Sequence, residues 1–223
     1  MDAVWHGFIT AGLSSDPLAI VASAINLRYT HEGIKRLRSS LSDEHLGLCY
    51  GISSHIEANK FSYWNEEFKA MQRQAAQALK NNGVPYRFSE VTMEATVDFL
   101  LLEETETMAW AEKIWTECNW DALLKYTPQF SRDPGRAEDN ILYVRQRLEH
   151  PEIEHTAQWL WQVIENITRT QVSREGCLAA VTDLADMLRS EKLYHQVTRE
   201  AQERLRVEIP QAIKPFDLTN KEP

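Results

Sequence analysis

Apolar residues three and four positions apart recur along most of this chain, and no segment alternates with the two-residue period of a half-buried strand between hairpin turns. The pattern predicts an all-α fold, a compact bundle of about seven or eight helices. Its centre is the stretch from about Ser89 to Tyr126, the longest run free of Gly and Pro. Taken as one helix over about 90–125, with 100° per residue, it carries Val97, Leu100, Leu101, Met108, Ala111 and Trp115 on one face. Phe99, Leu102, Trp110 and Trp120 fall opposite. A helix apolar on two sides needs neighbours on both, so this one is expected to be central and buried.

The flanking segments are set by their punctuation. Asp16-Pro17 and Asp133-Pro134 read as an N-cap followed by Pro at the first helical position. After the first, Leu18, Val21 and Ile25 keep helical spacing. The face then shifts to Ile34, Leu37 and Leu41, with Thr30 and Gly33 at the change. Ser42 or Asp43 caps a segment around Leu48-Cys49-Tyr50, bracketed by Gly47 and Gly51. Phe61, Trp64, Phe68, Met71, Ala75 and Leu79 form one stripe over 56–81, stopped by Asn81-Asn82-Gly83. Val84 to Phe88 is expected as an extended linker into the central helix, which Ser89 would cap. Past the loop-like TPQFSRDPGR, three more stripes follow. One ends at His150-Pro151, one starts at Ile153, and one is capped by Ser173. A last helix around Leu193–Leu205, either separate from or continuous with the one before, is expected to stop before Pro210. The domain organisation expected is one all-α domain over 1–210, with subdivision points near 82–88 or 127–133 and a flexible tail over 211–223.

Charge adds a second layer. The net charge of −9 falls wholly beyond residue 90, and between Glu94 and Asp121 the base Lys113 stands against eight acids. Such a balance disfavours direct binding to a phosphate backbone. It suits a protein partner with a basic surface, mimicry of nucleic acid, or simply a solvated helix edge, the commonest case. Lys35, Arg36 and Arg38 are basic, but Asp43 and Glu44 follow closely, as on a solvated helix face. No run of apolar residues is long enough to predict a membrane span, and the first residues lack the order of a signal peptide. Three widely spaced cysteines, Cys49, Cys118 and Cys177, form no Cys-x-x-Cys pair and read as thiols of a reducing, cytoplasmic compartment.

Candidate chemistry is sparse. No phosphate-binding glycine loop, nucleophile elbow or His-Glu-x-x-His zinc helix occurs. Glu152 and His155 fit Glu-x-x-His, which can supply two metal ligands from one helix face. There is no second copy, so no metal and no cofactor are expected. Glu104 projects at about 340°, inside the Val97/Met108/Trp115 face. A carboxylate there requires a partner, a proton or a break in the helix.

Glu103-Glu104-Thr105-Glu106 resembles, over this one short run, the Glu-Glu-x-x-Glu helix of all-α nucleotide pyrophosphohydrolases of the MazG type. In that family the helix holds Mg²⁺ together with a later Glu-x-x-Asp. The acid spacing here departs by one residue and Glu138-Asp139 does not complete the second motif, so the chain is not placed in that family.

The function these features favour is a non-enzymatic interaction module (an adaptor, regulator or inhibitor) with an acidic, Trp-bearing surface. Glu104, Met108, Trp110 and Trp115 are its candidate binding residues. The alternative is a helical-bundle enzyme or small-ligand-binding protein built on a buried carboxylate at Glu104.

Overall fold

A computed structural model describes residues 3–25, 46–130, 134–168 and 171–213, and every regular element among them is helical. In chain order these are α1 (Ala3–Ala11), α2 (Pro17–Ala24), α3 (Leu46–Trp64), α4 (Glu66–Asn81), a 3₁₀ turn (Tyr86–Phe88), α5 (Ser89–Leu102) and α6 (Thr105–Glu117). They continue with α7 (Trp120–Phe130), α8 (Pro134–Glu149), α9 (Ile153–Thr168), α10 (Arg174–Glu191) and α11 (Leu193–Ile213). The expected change of face at Thr30 and Gly33, the basic cluster at 35–38 and the cap at Ser42 or Asp43 lie outside the described residues.

The helix count exceeds the expectation because continuous apolar stripes are interrupted. The 90–125 stretch is three helices, broken at Glu103-Glu104 and at Cys118-Asn119. Its first piece, α5, is the buried one: every residue from Thr92 to Leu102 is out of water. Around it pack α1, α4, α9 and α10. A fully buried Leu or Phe stabilises by about 1.5–3 kcal/mol, so this helix is a large share of the core. Three of its buried polar residues, Thr92, Thr96 and Asp98, make hydrogen bonds locally or at long range. Thr92 and Thr96 hydroxyls donate to the carbonyls of Phe88 and Thr92, both at 2.8 Å. The Asp98 carboxylate accepts from the backbone N–H groups of Val4 (2.9 Å) and Trp5 (2.8 Å). A carboxylate on α5 therefore caps α1, where the helix dipole and its unpaired N–H groups favour negative charge.

Three apolar clusters hold the bundle. The first joins α1, α3, α4, α5, α10 and α11; the second joins α2, α3, α6, α7 and α8; the third joins α4, α9 and α10 beneath Val84 and Phe88. Gly51 explains how α3 meets α2. A Cβ there would strike the Ala19 carbonyl oxygen and lie 2.8 Å from the Ala22 Cβ, so only glycine permits that approach.

Helix ends follow the sequence in some places and depart in others. Asp16 caps α2 by accepting from Leu18 N–H at 2.9 Å, and Ser173 caps α10 by accepting from Gly176 N–H at 2.9 Å. Gly83, at φ 69°, follows the end of α4. Ser89 is already helical rather than a cap, because the 3₁₀ turn takes the place of an extended linker. The segment Thr127–Phe130, expected as loop, continues α7 with Pro128 inside it. The last helix runs on through Pro210 to Ile213. Between α10 and α11 stands Lys192 in the left-handed conformation, φ 53°.

Candidate functional site

The stripe read over 56–81 is not one helix, and this sets up the most exposed aromatic feature among the described residues. Asn65 breaks it: its side-chain oxygen accepts from Phe68 N–H at 2.8 Å and starts α4, with Glu66 and Glu67 in the favourable first turn. The break rotates the phase, so Phe61 and Phe68 stay in the core while Trp64 turns outward. Tyr63 and Trp64 are 70% and 68% exposed and meet edge to face, with ring centroids 4.8 Å apart. The Asn65 amide also donates to Glu200 of α11 at 3.0 Å, which ties this corner to the C-terminal helix.

Beside the pair lies a groove of about 560 Å³ between the α3–α4 corner and α5. Tyr63, Trp64 and Asn59 form one wall, Phe68 and Lys69 contribute from α4, and α5 brings the exposed Glu90 carboxylate with buried Glu94 beneath it. The Lys69 ammonium is taken up by Glu66 at 2.8 Å, a bond that in turn holds the Glu66 carboxyl below its ordinary value. The lining therefore presents aromatic faces and the Glu90 carboxylate. The cue was in the sequence, since Asn65-Glu66-Glu67 is a cap followed by acids, but the apolar spacing passes through it unbroken.

The residues chosen from the sequence are distributed differently. Glu104 lies in the α5–α6 break with extended backbone (φ −82°, ψ 131°), 34% exposed, and not inside an apolar face. Its Oε1 accepts from the Tyr194 hydroxyl at 3.1 Å and pairs with His195 Nε2 at 2.8 Å. Burial, and then the Glu104 charge, push the Tyr194 phenol up to about 12. Next to it Glu103 binds Arg189, which also holds Asp186 at 2.9 Å; the Glu103 hydrogen bond raises the Arg189 guanidinium above its ordinary value. The α5–α6 and α10–α11 breaks are thus clasped together by the Glu103–Arg189 ion pair and by the polar contacts of Glu104 with Tyr194 and His195. Trp110 is half-buried, packs between the first two apolar clusters and meets Phe8 edge-on at 6.0 Å. The side chains of Met108 and Trp115 lie outside the described residues.

At the α8–α9 corner, Glu152 and His155 are joined by His150. His155 Nδ1 is 3.0 Å from Glu152 Oε2, and the two imidazole rings stack with centroids 4.9 Å apart. The Glu152 carboxyl is held below its ordinary value, chiefly by its own backbone amide. No helix among the described residues is long and apolar enough to cross a membrane. Compared with protein-family models, with curated proteins and with solved structures, the chain finds no match.

Proposed function

We propose that this protein is a non-enzymatic helical interaction module whose groove beside Tyr63 and Trp64 takes a basic segment of another protein. The observation that carries this is the pairing of two exposed aromatics with the exposed Glu90 carboxylate in one groove. Trp and Tyr are the residues that dominate binding energy at protein interfaces. A guanidinium over an aromatic face gains about 0.5–1 kcal/mol at an exposed site and about 2 when desolvated. A neighbouring carboxylate adds charge-assisted hydrogen bonds to the same group. The corner is held by the Asn65 cap and its bond to Glu200, so little ordering is required when a partner docks. The net charge of −9 draws a basic partner from a distance. Three free cysteines, two of them buried, fit the reducing environment of the cytoplasm.

The test is fluorescence anisotropy with a short, labelled arginine-containing peptide. Trp64→Ala and Glu90→Lys are each expected to weaken binding at least about tenfold, as loss of an interface anchor does. Because Trp64 and Glu90 are exposed, thermal stability should stay within about 0.5 kcal/mol. Equal binding by the variants, or equal binding of an acidic peptide, rejects the proposal.

A further inference from the structure

We propose that His150, Glu152 and His155 form a mononuclear site for a zinc-class transition-metal ion on the surface of the α8–α9 corner. Sequence spacing shows only two of these donors, Glu152 and His155, and the fold supplies the third. His150 closes α8 through its N–H to the Gln146 carbonyl at 2.8 Å. Pro151 fixes the next step of the chain. The Glu152 carbonyl then accepts from the N–H groups of His155 (3.2 Å) and Thr156 (3.3 Å) and opens α9. Each of the three residues is therefore anchored by backbone, and a rigid corner presents their side chains together.

One ligand atom from each residue lies within 4.8 Å of the others. Bonds of about 2.0–2.2 Å in a tetrahedron require donors somewhat over 3 Å apart. The Glu152–His155 pair is already at 3.0 Å. His150 has only to swing inward, and all three side chains are exposed. A helical Glu–His pair at this spacing accounts for two of the groups as an ordinary surface contact. It does not account for a second imidazole stacked on the first beside the same carboxylate.

The donor set decides the class of ion. Two imidazole nitrogens and one carboxylate oxygen suit Zn²⁺, Co²⁺, Ni²⁺ or Cu²⁺, whereas Mg²⁺ and Ca²⁺ select all-oxygen shells. Three protein ligands leave one tetrahedral position for water or for a donor from another molecule. The site lies outside the Tyr63/Trp64 groove and does not depend on it.

The experiment uses untagged full-length protein stripped with a chelator, titrated with Zn²⁺ by calorimetry and with Co²⁺ by visible absorption. One ion per chain should bind in the micromolar range, unaffected by excess Mg²⁺, and Co²⁺ should show the intense bands of a four-coordinate ion. His150→Ala and His155→Ala should each weaken binding at least about tenfold, with an unchanged circular dichroism spectrum. His195→Ala, which removes the imidazole beside Glu104, should bind as the wild type does. No binding, full binding in His150→Ala, or loss of binding in His195→Ala each overturns the site.

Discussion

Asp98 holds two backbone donors from the far end of the chain with a carboxylate wholly out of water. Removing it leaves the first N–H groups of α1 buried without an acceptor, at about 1–3 kcal/mol for each group stranded. Asp98→Ala is therefore expected to cost about 3 kcal/mol or more in urea unfolding, and Asp98→Asn, which keeps an acceptor, distinctly less. Nothing local in the sequence marks this residue, because its partners are 93 and 94 positions away. Glu104 stands out in the sequence instead, since a projection at 100° per residue carries the helix straight through its own break. Of the conditions its sequence position imposed, a partner and a break are both present. Tyr63 and Trp64 were hidden for a related reason: a stripe of correct spacing cannot show which of its aromatics a one-residue interruption turns outward.

At the scale of elements, legibility follows chemistry. Starts written by Asp16-Pro17 and Ser173, and the stop at Asn81-Asn82-Gly83, appear as the residue types dictate. The breaks at Asn65, Glu103-Glu104 and Lys192 fall where apolar spacing continues on both sides, so periodicity alone joins them. Lys192 is the least legible of these, because it occupies a conformation that glycine prefers. A left-handed L-residue carries roughly 1–2 kcal/mol of local strain, part of which glycine returns as lost chain entropy. Lys192→Gly is expected to raise stability by about 0.5–1 kcal/mol, read as a higher urea midpoint at unchanged slope. A lowered midpoint would mean that the lysine side chain itself secures the α10–α11 junction.

For the whole molecule, alkaline pH is the sensitive direction. Tyr194 is pushed up to about 12, chiefly by burial and then by Glu104. Burial, with the nearby charges of Asp16 and Glu165, pushes Cys118 to about 12 and Cys177 to about 11. In each case folding favours the neutral, protonated form. That stability is complete below the unfolded-state values of about 8.5 for Cys and 10 for Tyr, and it is lost as pH climbs through the folded-state values. The unfolding midpoint should hold to about pH 8 and fall steadily above pH 9. A thiol reagent at neutral pH should reach Cys118 and Cys177 only after denaturant is added. A midpoint that is flat from pH 8 to 11, or rapid labelling of either thiol in the native protein, would contradict this. The all-helical architecture of the described residues was legible in the sequence, because no competing periodicity occurs there.

The indole of Trp5 donates to the Thr198 hydroxyl at 2.9 Å, across 193 positions of sequence. During synthesis α1 is thus made long before this partner. At about 5–20 residues per second, the wait between the two is roughly ten to forty seconds. A nine-residue helix cannot hold itself together in water for that time. Until α2, α3 and α5 have followed, Trp5, Phe8 and Ile9 are an exposed apolar segment of the nascent chain, and the Trp5 indole N–H waits longest, for α11. A chaperone that shields such segments would meet a client site in α1 during that interval.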